Sequence, residues 1–190
     1  NKNGAFGAGA LSSNTTGIMN NAMGNNCMNA TTTGSNNAAF GQGALGSNTG
    51  GNQNTAIGFG VLISATTASE NVGIGCSALA TLTTAGRNVA IGWGALKVST
   101  TASNNVAIGG NALQANTTGA ANVAVGKNAL DANTTANGNT AVGYAGLGAN
   151  TTGINNSAFG MNALLANTTG DGNTALGVEA LKENTTADSN

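Results

Sequence analysis

N-V-A-I-G, residues Asn88 to Gly92, returns unchanged at Asn105 to Gly109, 17 residues later. Working outward, an Asn opens a similar segment at Asn3, Asn20, Asn37, Asn54, Asn71, Asn88, Asn105, Asn122, Asn139, Asn156, Asn173 and Asn190, always in steps of 17. The chain is therefore eleven tandem units, and repeat detection takes precedence over local propensity. With that Asn as position 1, position 5 is always Gly, from Gly7 to Gly177. Position 4 is always apolar: Phe6, Met23, Phe40, Ile57, Ile74, Ile91, Ile108, Val125, Val142, Phe159 and Leu176. Position 9 is Leu except for Met28, position 13 is always Thr, position 14 is Thr except for Gly50, and position 15 is Gly or Ala.

Charge gives an independent register. All eleven charged residues stand at positions 6, 7, 10, 11, 16 and 17, among them Lys127, Glu179, Lys97, Glu183, Asp171 and Arg87. Lys and Glu are almost never fully buried unless paired. The uncharged columns are thus expected to form the interior and contact surfaces, and the charged ones the exposed corners. Helical repeats need about 33 residues or more per unit, and Gly inside a helix costs about 1 kcal/mol. The segment N-x-A-apolar-G reads instead as a short strand ended by a glycine corner. A second short strand is expected to carry the Ala-Leu pair and a third segment the Thr-Thr pair. The fold expected is an all-β parallel β-solenoid of eleven 17-residue coils, a single domain over residues 1–190. Positions 4 and 9 are expected inside, with asparagine ladders at positions 1 and 12. Coils stacked about 4.8 Å apart make a rod roughly 50 Å long.

Composition narrows the function classes. The chain has 31 Gly, no Pro, no His, 3% aromatic residues and a formal net charge of -1. So balanced a charge offers no electrostatic footprint for nucleic acid, and no apolar run reaches the roughly 18 residues of a membrane span. Both ends fall inside the repeat, which suggests a segment of a longer fibre protein. Without His there is no Ser-His or Cys-His pair and no ordinary zinc site, and the carboxylates are scattered. No catalytic, cofactor-binding or metal residues are expected. G-I-G-C-S-A at Gly73–Ala78 imitates a dinucleotide fingerprint but lies inside the repeat with no helix to follow. Asp131 to Asn139 lacks the acidic ligands of a calcium loop. Cys27 and Cys76 lie three coils apart, about 14 Å, beyond the roughly 7 Å that a disulfide spans; both are read as free thiols in packing slots. The N-T-T sequons follow from the repeat itself. Position 6 varies most and holds Phe59, Trp93, Tyr144 and Met161, candidates for surface or partner contact, including a stripe of aromatic platforms for sugars.

N-V-A-I-G at Asn88–Gly92 and Asn105–Gly109 resembles the head repeat of the YadA-like trimeric autotransporter adhesins. The fuller unit N-T-A-V-G-Y-A-G-L-G-A-N-T-T-G at Asn139–Gly153 is similar to repeats of phage tail fibres and bacterial trimeric surface fibres. The resemblance covers the whole chain. It implies a left-handed parallel β-roll, a side-by-side homotrimer, an extracellular place on a cell surface or virion fibre, and contact with a host or prey cell-surface glycan or protein. The coil is longer than in the adhesin heads, chiefly through N-T-T-G. In such a trimer the small position 3, at Ala56, Ala90, Ala107, Ala124 and Ala141, is the expected close contact. The rival reading is an ice-binding β-solenoid, with Thr117, Thr134, Thr151 and Thr168 as the ice face. Adjacent strand residues face opposite ways, so the two threonine columns are not expected to form a double rank.

Overall fold

A computed structural model describes residues 2–190. The chain is a parallel β-solenoid with one three-residue strand per coil: β1 (Gly4–Phe6), β2 (Asn21–Met23), β3 (Ala38–Phe40), β4 (Thr55–Ile57), β5 (Val72–Ile74), β6 (Val89–Ile91), β7 (Val106–Ile108), β8 (Val123–Val125), β9 (Thr140–Val142), β10 (Ser157–Phe159) and β11 (Thr174–Leu176). They form one sheet in sequence order. Each strand pairs in parallel with the next, and position falls on identical position: Val89 on Val106, Ala90 on Ala107, Ile91 on Ile108.

Among the described residues the second and third strands expected in each coil are absent. The reason lies at position 9, where every residue has positive φ, from Leu96 at 49° to Leu79 at 54°. A left-handed backbone cannot continue an extended strand and costs an L-residue about 1–2 kcal/mol. Burying a leucine yields about 1.5–3 kcal/mol, enough to hold the corner, and Leu96 is 0% exposed. Inter-coil hydrogen bonding persists without strand geometry. The Leu96 N–H donates to Ala112 O at 3.0 Å, and the Thr100 N–H to Thr117 O at 3.1 Å. At position 5, Gly92 has φ 135°, and a Cβ there would stand 2.6 Å from the Gly109 carbonyl oxygen. Backbone conformation and close stacking both require glycine.

The interior differs from the expectation in one column. Position 4 faces outward: Ile91 is partly exposed and Ile57 and Phe40 are exposed, whereas Ala56, Ala90, Ala107, Ala124 and Ala141 at position 3 are buried. Side chains alternate along a strand, and beside the buried position-9 leucine only a methyl group fits. The position-3 alanines therefore lie within the coil and cannot touch another chain.

Asparagine lines the rest of the core. The Asn54 side-chain amide donates to Asn37 Oδ1 at 3.0 Å in the preceding coil and to Ala68 O at 2.8 Å, closing its own coil. Asn37 Oδ1 also accepts the Asn54 N–H at 3.0 Å. The buried amides of the position-1 ladder are thus partnered, as burial demands, whereas the buried Oδ1 atoms of Asn14, Asn111 and Asn128 have no partner. Among the described residues the buried polar side chains are Asn, Thr and Ser, and no charged residue is buried.

Candidate functional site

Three surfaces follow from this coil. The first is the outer face of the sheet, made of positions 2 and 4. In the central coils it carries Val72, Val89, Val106 and Val123 beside Ile74, Ile91, Ile108 and Val125. The two ranks are about 6.6 Å apart along each strand and repeat about every 4.8 Å up the rod. No charged residue stands on it in any coil. In three coils side-chain size compensates across the ranks. The three phenylalanines, Phe6, Phe40 and Phe159, stand beside the three smallest position-2 residues, Gly4, Ala38 and Ser157. Contiguous exposed apolar faces are where proteins commonly make contacts.

The second surface is the corner formed by positions 6 and 10. Phe59, Trp93, Tyr144 and Met161 are all exposed there, Phe59 at 57% and Trp93 at 56%. The Lys97 ammonium lies 5.9 Å from the Trp93 ring centre, a cation–π distance. Beside Phe59 the surface opens into a hollow of about 510 Å³, bounded by Phe59 and Ile63, floored by Gly43 and Gly46, and edged by Asn26, Asn29 and Gln42. Its contributors come from three successive coils, so no single stretch of sequence shows it. The clue was present in the position-10 column, where Gly46 stands directly before Ile63.

The third surface carries the threonines. Position 13 is partly to fully exposed and position 14 is exposed apart from Gly50, so both columns face outward. This corrects the expectation that they oppose one another: the N-T-T-G segment bends and is not a strand. The hydroxyls of Thr117, Thr134, Thr151 and Thr168 donate to the next coil's carbonyl at 3.0, 3.2, 3.1 and 3.1 Å.

Electrostatics add little. Glu70 and Arg87 pair at 2.8 Å on the surface, where solvent screens the attraction. Both cysteines are free, but only Cys27 fills an interior slot, while Cys76 is exposed. Burial pushes the Cys27 thiol up to about 11, which keeps it protonated and unreactive. Among the described residues no cluster of three His, Cys, Asp or Glu could hold a metal, and no helix is long and apolar enough to cross a membrane. No family model, curated protein or solved structure matches this chain.

Proposed function

We propose that the chain is a structural and adhesive module of an extracellular trimeric fibre, a bacterial surface adhesin or a phage tail fibre. Supporting this most directly is the uncharged sheet face of positions 2 and 4, with its phenylalanines seated beside the smallest residues. Three copies with their sheet faces turned to a common axis bury that apolar surface and leave the position 6 and 10 corners free. Those corners then meet a cell-surface glycan or protein. The resemblance of the repeats to trimeric fibre proteins points the same way.

The test is the mass in solution by sedimentation equilibrium at micromolar concentration. A trimer is expected for the unmodified chain. Ile91→Lys with Ile108→Lys should give a monomer with an unchanged far-UV circular dichroism spectrum, because both side chains point away from the coil interior. A monomeric unmodified chain removes the reading.

Ice binding is kept as a second reading because both threonine columns face outward. Against it, the position-13 hydroxyl protons serve the inter-coil ladder. Thermal hysteresis, lost on Thr117→Tyr or Thr134→Tyr, would establish it in place of the fibre.

A further inference from the structure

We propose that the hollow beside Phe59 is a binding subsite for one neutral hexose unit of a glycan. This rests on the adhesive reading and gives it a location and a ligand class. The hollow combines an exposed ring face with three primary amides and no charged group. A sugar ring presents the matching surface: an apolar C–H face for the phenyl ring, and adjacent hydroxyls that both donate and accept, as amides do. Among the described residues, the side chains of Asn26, Asn29 and Gln42 are engaged in no hydrogen bond within the chain, so their donors and acceptors are available. An anionic or cationic ligand would find no counter-charge here. The size suits a small ligand, since such pockets span roughly 300–1,000 Å³.

The other two rings of the corner, Trp93 and Tyr144, have different surroundings: the coil before Tyr144 carries Asp131 at position 10, where the coil before Phe59 carries Gly46. Trp93 has its own Lys97 over the ring. Below Met161, Gly148 leaves a comparable gap at position 10, but Leu165 from the next coil fills it; a Cβ on Gly148 would come 3.1 Å from Leu165 Cδ1. At the Phe59 hollow the corresponding side chain, Ile63, leans over Gly43 instead, its Cδ1 3.3 Å from a Cβ placed there. At Gly46 the atoms nearest such a Cβ are Gly43 O at 3.1 Å, Asn29 Oδ1 at 3.6 Å and Asn26 O at 3.7 Å, none of them from the next coil.

The repeat supplies test variants from its own columns. Position 6 carries alanine at Ala8 and position 10 carries glutamine at Gln114. Phe59→Ala therefore removes the platform and Gly46→Gln fills the hollow with residues the coil carries elsewhere, and an unchanged far-UV circular dichroism spectrum checks that each variant folds. The full chain is titrated with neutral gluco-, galacto-, manno- and N-acetylhexosamine trisaccharides, followed by ligand-observed NMR, with a sialylated trisaccharide and an uncharged tripeptide alongside. At least one neutral sugar should bind, and each of the two variants should weaken it tenfold or more, while Trp93→Ala leaves it unchanged. The inference is overturned if no neutral sugar binds, if neither variant weakens binding, if Trp93→Ala weakens it equally, or if the sialylated sugar or the peptide is preferred. Sedimentation mass on the same samples separates the two readings. A trimer that binds no sugar retains the fibre and loses this subsite, whereas a monomer whose sugar binding responds to the variants keeps the subsite and loses the fibre.

Discussion

Coils 2–6, residues 20–104, and coils 7–11, residues 105–189, share one backbone but fill the inner column at position 12 differently. In the later coils it is an unbroken amide column: Asn133 donates to Asn116, Asn150 to Asn133 and Asn167 to Asn150, at 3.0, 3.1 and 3.0 Å. In the earlier coils it runs Thr31, Asn48, Ala65, Leu82, Ser99. There Asn48 turns back on its own coil, accepting the Gly51 N–H at 2.9 Å. The buried hydroxyls of Thr31 and Ser99 find no partner. The lesson is that an amide column is cooperative. Each buried amide is satisfied by its neighbour above or below, so the column is stable when continuous and loses value when interrupted. An apolar residue asks nothing of its neighbours, so Ala65 and Leu82 stand in consecutive coils between Asn48 and Ser99 without a hydrogen-bonding partner.

The largest expected effect probes what the two halves have in common. Leu62→Ala and Leu113→Ala should each lower unfolding free energy by about 2–5 kcal/mol, equally in both halves, by urea denaturation. A volume-conserving swap usually costs under about 1.5 kcal/mol. Leu113→Ile should exceed that, because a β-branched side chain is poorly tolerated at the positive φ of this corner. A cost as small as an ordinary swap would remove the argument for the strained corner.

Next comes the amide column itself. Asn133→Leu places in the later coils the residue that Leu82 supplies in the earlier ones. It strips Asn116 Oδ1 of its donor, while the Asn150 amide keeps its bond to Gly153 O, and should cost about 1–3 kcal/mol for the one orphaned buried acceptor. Indifference to this change would mean that the two halves differ in sequence only. Ser99→Ala, in contrast, removes a hydroxyl that has no partner, and should be neutral or stabilising by up to about 1 kcal/mol. A clear loss of stability would show that the hydroxyl is partnered after all.

The smallest effect is one of pH. Partial burial raises the Asp131 carboxyl above its ordinary value. The folded state therefore holds that proton to higher pH than the unfolded state, and stability falls as pH rises through the carboxylate range. Asp131→Asn should be slightly more stable than the parent at pH 7, with the difference vanishing near pH 3. The opposite trend in thermal midpoints would place the carboxylate in a favourable contact.

Much was legible in the columns. A strict 17-residue period, the invariant glycine at position 5 and the confinement of charge to six columns determine a stacked all-β coil with its corners in solvent, since only an untilted repeat keeps like residues over like. The buried leucine at position 9 and the asparagine ladder at position 1 follow from the same reasoning. Tertiary structure alone decided which way each side chain of the short strand faces. Position 4 is apolar in every coil, and apolar character by itself does not distinguish a coil's own core from a face awaiting a partner. The narrowness of the coil settles it, because a position-9 leucine leaves room beside it for a methyl group only, and alternation then turns positions 2 and 4 outward. The left-handed leucine corner was equally hidden, since a residue type chosen for burial gives no sign of the backbone that delivers it. So was the hollow beside Phe59, assembled from three coils that only stacking brings together.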